Sequence, residues 1–213
     1  MTLEKRYLPV SEVEIRTDHD EENEKRTISG YGIVYNKKTR IGDDFEEIIR
    51  PGAARKALQG NPDVKARFNH QIGTLLGRTK SGTLELEENQ SGVKYTIYPP
   101  DTQVARDLML SIDRGDIDGS SFTFKVAEGG EEVTRQQNGT ILREIFELER
   151  VGEIGPVEDE AYLDTTAQVR SAEEAREAYI ASLRAQEDEA NNIDGQRALS
   201  LKKRKLELKE KEC

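Results

Sequence analysis

The stretch GDIDGSSFTF, residues 115–124, closes a helix and opens a strand, and it places two adjacent serines at the change. Upstream, in TQVARDLMLSIDRGD, Val104, Leu108 and Ile112 recur at helical spacing and Gly115 supplies the stop. Downstream, SFTF alternates, so Phe122 and Phe124 point to one side and Ser121 stands at the head of the strand on the other. Ser120 reads equally well as a turn residue beside Gly119.

Moving outward, the chain continues to alternate. RTISGYGIVYN puts Ile28, Gly30, Gly32 and Val34 on one side and Tyr31, Ile33 and Tyr35 on the other, as a strand buried on both faces requires. Its glycines allow a second backbone to approach, or the strand to bend as at a barrel corner. PGAARKALQGNPD predicts a short helix with Pro51 near its start and Gly60 past its end. VKARFNHQIG predicts a strand finishing on Asn69 and His70, and GTLELEENQSGVKYTIYP a hairpin turning at ENQSG. SSFTFKVAEGG and TILREIFELERVGEIG, separated by a polar turn at QQNG, predict two more strands.

The ends differ in composition. Residues 11–25 carry seven carboxylates against two basic side chains, a pattern that predicts a solvated loop. From Ala172 onward the chain is rich in Ala, Glu, Arg, Lys and Leu, and Ala172, Ala175, Tyr179 and Leu183 form a narrow apolar stripe at helical spacing. The last segment, LSLKKRKLELKEKEC, holds six basic and three acidic residues and opposes the acidic body in sign. Hydrophobic residues are 34% and charged residues 35%, so part of the chain is expected to stay outside the core. The organisation expected is an acidic flexible segment over 1–26, one domain over 27–171 and a charged helical tail over 172–213.

A formal charge of −10 argues against a general nucleic-acid binder, whose affinity depends on clustered cations releasing counterions. The single cysteine, Cys213, excludes an internal disulfide or a zinc site of paired thiolates, and it fits a reducing compartment. No apolar run is long enough to cross a bilayer, and MTLEKRYLPVSEVEIR lacks the apolar core of a signal peptide. Phosphate-binding G-x-x-x-x-G-K-S/T, H-E-x-x-H and the G-x-S-x-G elbow of α/β hydrolases are all absent, so no cofactor or metal is expected.

A serine becomes nucleophilic when a base within hydrogen-bond reach takes its proton and a third group orients that base. The chain offers two imidazoles. His19 sits in the acidic stretch, whereas His70 ends a strand and precedes a glycine-permitted reversal, QIGTLLGR. Spacing alone leaves His70 open between a structural and a catalytic role.

The ordered blocks ISGYGIVYN, DDFEEIIRPGAA, ARFNHQIGTLLGRTKSGTLEL, GDIDGSSFTF and EIGPVEDEAYLDT resemble the prohead (capsid maturation) proteases of tailed bacteriophages of the HK97 type, distant relatives of the herpesvirus assemblins. The match runs from near residue 27 to near residue 170. The resemblance implies His70 as the base in the Asn-His pair, Ser121 rather than Ser120 as the nucleophile, and Glu153 as the orienting acid. Herpesvirus enzymes use a second histidine in that third place, and here only His19 could supply one. Arg143 is added as support for an oxyanion, because it precedes the strand that leads to Glu153. Three positions depart from the pattern: Gly155 where the family often has serine, Glu160 where it often has proline, and Thr123 where it often has glycine.

The fold implied is α+β, mainly β: a herpesvirus-protease-like β-barrel flanked by helices, with the charged helical extension behind it. The activity implied is that of a serine endopeptidase confined in the assembling prohead, in the host cytoplasm. There it would cut the scaffold-like N-terminal region of the major capsid protein and also itself, the tail being one candidate for removal. Expected partners are the capsid protein and its scaffold-like region, with no membrane and no specific nucleic acid. Homo-oligomerisation stays open, since herpesvirus relatives dimerise. The rival reading is a non-enzymatic scaffold or assembly chaperone on the same fold, which has no need of His70, Ser121 and an acid together. An unrelated esterase-like hydrolase is disfavoured by the missing elbow.

Overall fold

A computed structural model of the chain describes residues 3–8, 13–20, 23–41, 44–60, 62–158 and 176–185. In chain order the elements are β1 (Glu4–Leu8), β2 (Glu14–Asp20), β3 (Asn23–Val34), β4 (Thr39–Arg40), β5 (Phe45–Ile49), α1 (Arg55–Leu58), β6 (Lys65–Arg67), β7 (Leu75–Arg78), β8 (Leu84–Glu88), β9 (Gly92–Ile97), α2 (Gln103–Asp113), β10 (Gly119–Val126), β11 (Glu131–Arg135), β12 (Ile141–Ile145) and β13 (Leu148–Val157). The result is mostly β with few helices. The chain divides into two units, Met1–Ala172 and Glu173–Cys213. In the second unit residues 176–185 are helical and include Tyr179 and Leu183 of the expected stripe. Ala172, Ala175, Glu160 and the charged segment after residue 185 lie outside the described residues. No described helix is long and apolar enough to cross a membrane.

Three sheets build the first unit, in the orders β1-β10-β13-β6-β7, β11-β12-β5-β4 and β2-β3-β9-β8. Among the described residues the ladders do not join into one closed barrel. One buried cluster draws on all three, with Phe122, Phe124 and Ile154 from the first, Ile49 and Ile145 from the second, and Ile28, Tyr95 and Ile97 from the third. Tight contact between sheets explains a glycine of the alternating run. A Cβ on Gly32 would lie 2.0 Å from the Ile154 side chain, so only glycine lets β3 and β13 come this close.

The hairpin forms as the pattern predicts, β8 pairing with β9 from Leu84–Ile97 to Glu88–Val93. Helix α2 forms too, with the Thr102 hydroxyl accepting from the Ala105 amide as an N-cap. Its buried face is Ala105, Leu108 and Ile112, while Val104 is 41% exposed: the small alanine is the residue that fits against the core.

The acidic segment corrects the sequence reading. Residues 14–20 are not a loop but β2, which pairs with β3 from Glu14–Ser29 to Asp20–Asn23. Charge density does not prevent this, because the ladder is made by the backbone, while Glu14 and Arg16 stay exposed and Ile15 packs against the core. Residues 4–8, also expected to be loose, form β1 on the edge of β10. TILREIFELERVGEIG is two strands, β12 and β13, that belong to different sheets.

Candidate active site

Ser121 lies on β10, directly opposite Gly155 of β13, and Thr123 lies opposite Glu153. Cross-strand partners share a face, so Ser121 and Glu153 sit diagonally on the same side of the sheet. The neighbour beyond β13 is β6, parallel to it with Lys65 opposite Glu153. After Arg67 the chain leaves the sheet in a 3-10 turn, Phe68–His70, that carries the imidazole back over β13. His70 therefore sits on a turn and not on the strand end expected.

The turn is made by unusual backbone. Asn69 has φ 53° and His70 φ 56°, both in the left-handed region, which asparagine tolerates and histidine seldom adopts. The Asn69 side-chain oxygen accepts from the Glu158 amide at 2.9 Å, which ties the turn to the end of β13. Gly155 gives it room, since a Cβ there would lie 2.7 Å from the Arg67 carbonyl oxygen. The departure from serine at this position thus coincides with a close backbone approach.

The imidazole bridges the other two residues. His70 Nδ1 lies 3.1 Å from Glu153 Oε2 and His70 Nε2 lies 2.8 Å from Ser121 Oγ. A carboxylate can only accept, so in neutral His70 the hydrogen belongs on Nδ1 and Nε2 is left to accept the serine proton. Burial lowers the pKa of His70 below its ordinary 6.5, and the positive charge of Lys5 on β1 lowers it further; Glu153 opposes both. His70 is accordingly a neutral base at neutral pH.

Glu153 is held from two sides. Its Oε1 lies 2.8 Å from Arg67 Nε, and its backbone amide donates to the Thr123 hydroxyl at 2.8 Å. Thr123, one of the departures from the family pattern, thereby fixes the acid's place in the strand. Neither support was found by sequence reasoning. Arg67 is three residues before His70, but its meeting with Glu153 follows from the β6–β13 pairing, for which no local signal exists.

Two other predicted residues separate from the site. Ser120 points away, its hydroxyl meeting Tyr95 Oη at 2.8 Å inside the core. Arg143 does not serve an oxyanion. Its guanidinium donates to Glu131 (Nε, 2.7 Å), to Glu4 (Nη1, 2.6 Å; Nη2, 2.9 Å) and to Glu47 (Nη1, 3.0 Å), and Nη2 also pairs with Glu131. All five N–H groups have carboxylate partners, so none remains for a reaction intermediate. His19 lies in β2 with its backbone opposite Glu24, remote in the chain pairing from the sheet of Ser121.

Ser121 itself is 0% exposed. Besides His70, its Oγ faces the backbone carbonyl oxygen of Arg6 on β1 at 2.9 Å. The single hydroxyl proton therefore has two acceptors, the imidazole and a carbonyl of the N-terminal strand.

Comparison with known protein families matches residues 11–178 to the caudovirus prohead serine protease. The chain belongs to that family. As a prohead serine protease it is a hydrolase of phage capsid maturation, and the match spans the blocks that carry His70, Ser121 and Glu153. Among solved structures it is similar to the capsid assembly protease gp21 of bacteriophage T4, at 14% identity over 72% of this chain and 98% of that one, with a TM-score of 0.41. No curated protein sequence gives a significant match.

Proposed function

We propose that Ser121, His70 and Glu153 form the catalytic triad of an endopeptidase that acts inside the assembling prohead. Its substrates in this reading are the scaffold-like N-terminal region of the major capsid protein and the enzyme itself. The observation that carries it is the imidazole of His70 held between Ser121 Oγ at 2.8 Å and Glu153 at 3.1 Å.

The chemistry follows from these contacts. His70 Nε2 takes the Ser121 proton as Oγ adds to the substrate carbonyl, and Glu153 stabilises the imidazolium so formed. The imidazolium then protonates the departing amine, leaving an acyl-enzyme. Water, deprotonated by the same Nε2, attacks the ester and releases the acid, returning the proton to Oγ. The lowered pKa of His70 keeps it free to accept a proton at neutral pH.

We also read the three sheets as the walls of an open barrel of the herpesvirus-protease kind, since a single core cluster draws side chains from each. The tail over 172–213 is read as a capsid- or scaffold-binding segment, on its basic end and its apolar stripe. Its deletion should lower encapsidation while sparing cleavage of a free substrate.

The decisive experiment is co-expression with the major capsid protein, following both chains by intact mass. Wild type should trim the capsid protein and Ser121→Ala should leave it whole. Equal trimming by both overturns the choice of nucleophile; assembly without trimming by either favours the scaffold reading.

A further inference from the structure

The strand that buries Ser121 has the form of a bound peptide. β1 is the edge strand of its sheet, antiparallel to β10, with Glu4 opposite Phe124, Arg6 opposite Phe122 and Leu8 opposite Ser120. Peptides commonly enter binding grooves in this way, as an added strand whose backbone gives affinity and whose alternate side chains give selectivity. The Arg6 carbonyl, 2.9 Å from Ser121 Oγ, stands where a scissile carbonyl must come.

The Arg6 side chain points into the opposite face and is buried there. Its Nε and Nη2 each lie 2.7 Å from an oxygen of Glu47, a bidentate pair, and its guanidinium stacks over Phe124 with 5.3 Å to the ring centroid. Val34, Lys37, Thr39, Ile49 and Phe122 line the same small cavity. Glu47 is only 3% exposed, and a buried carboxylate needs a cation beside it.

We propose that β1 occupies the substrate groove, that Arg6 fills the seat of the residue whose carbonyl is attacked, and that Glu47 selects a basic side chain there. The proposal rests on Ser121 being the nucleophile. Charge supports it. With β1 in place Glu4, Glu47 and Glu131 face Arg6 and Arg143, one negative charge in excess. When β1 leaves, Glu4 and Arg6 depart together and Glu47 and Glu131 against Arg143 keep that excess, with the exposed Lys37 as the further cation lining the cavity. An incoming Arg or Lys takes the place of Arg6 beside Glu47 and offsets that excess; an incoming acid doubles it.

The pose is not one of attack on β1. Oγ meets the oxygen end of the Arg6 carbonyl rather than its carbon, and a proton donated to that oxygen is withheld from His70. β1 is thus a resident competitor, and Lys5 on the same strand depresses the basicity of His70 until the strand leaves.

The test uses the full chain and a set of quenched peptides identical except for Arg, Lys, Gln, Leu or Glu on the acyl side of the bond cut. Wild type should cleave the Arg and Lys peptides at least tenfold faster, by kcat/KM, than the Gln peptide, and Glu47→Gln should bring that ratio near one. Arg6→Ala should raise both peptide cleavage and the labelling of Ser121 by a fluorophosphonate severalfold. Preference for Gln, Leu or Glu in the wild type overturns the proposal even where Glu47→Gln does not fold. So does an unchanged ratio in that variant, or unchanged labelling in Arg6→Ala. Absence of Ser121 labelling in every variant, with capsid trimming intact in Ser121→Ala, instead removes the triad on which the proposal stands.

Discussion

Two buried polar clusters meet on strand β1 and are built on opposite terms. On one face the Arg6 backbone carbonyl accepts from Ser121, the end member of the row with His70 and Glu153; on the other its guanidinium donates to Glu47 and Glu4, which Arg143 also binds. The second cluster is saturated, every N–H of Arg143 finding a carboxylate. Burial disfavours the Arg143 charge, yet Glu4 and Glu47 outweigh it and raise the pKa above the usual arginine value. The first cluster is under-supplied: one hydroxyl proton serves two acceptors, and one imidazole mediates between a neutral and an acidic partner. A saturated network holds the fold, whereas a network short of one proton can move that proton.

The comparison predicts effects of different kind. Ser121→Ala or His70→Ala should lower kcat/KM by about 10⁴-fold or more, as loss of a triad member does. In urea unfolding Ser121→Ala should move stability by only about 1 kcal/mol, the worth of its hydrogen bonds. Arg143→Ala should do the reverse. It leaves Glu4, Glu47 and Glu131 around an empty buried site, and a loss of about 3–5 kcal/mol is expected in the same unfolding measurement. A catalytic loss in Arg143→Ala at full stability would break the distinction and return Arg143 to the reaction.

The two clusters also differ in how far they could be read from sequence. His70, Ser121 and Glu153 each sit in a short block of recognisable type, and the blocks follow one another in order along the chain. The ionic cluster has no such blocks. Glu4 and Arg143 lie 139 positions apart, and both belong to charge-rich stretches where any carboxylate looks like any other. Charge density misled the reading at the N-terminus for the same reason: composition reports how a segment is solvated, and it does not say whether its backbone pairs. β1 and β2 were missed on that account. Alternation did reveal β3, β8, β9 and β10: β8 and β9 each have one face more buried than the other, which enforces a period of two, and β3 and β10, buried on both faces, alternate large side chains with small ones. The assignment of Arg143 failed because proximity along the chain to Glu153 was taken for proximity in space, while β12 and β13 join different sheets.

Glu153→Gln sharpens the first cluster from within. The amide keeps the shape but loses the charge that opposes burial and Lys5 at His70. The pKa of His70 should then fall further, and the acid limb of kcat/KM against pH should move to lower pH while the plateau drops about 10²-fold, less than for loss of the base itself. The sign extends to stability. Folded His70 binds a proton less readily than unfolded His70, so its contribution is complete above the ordinary value of 6.5 and is eroded as pH falls through the lowered one. A limb that moves upward would mean that Glu153 does not face the imidazole during turnover.

The smallest effect belongs to the serine next door. Ser120 and Ser121 are adjacent in sequence and equally buried, yet the pleat of β10 sends them to opposite faces, one to Tyr95 and the other to His70. Ser120→Ala removes the partner of a buried phenol whose pKa burial already raises, and about 1–2 kcal/mol of stability should go with it. Activity per folded molecule should stay within a few-fold of wild type, since nothing on the imidazole face changes. If Ser120→Ala abolished peptide cleavage while Ser121→Ala did not, β10 would have to be paired one residue out of register. A one-residue slip exchanges the two faces of the strand, so the pair of variants tests the β10–β13 register and the nucleophile in one experiment.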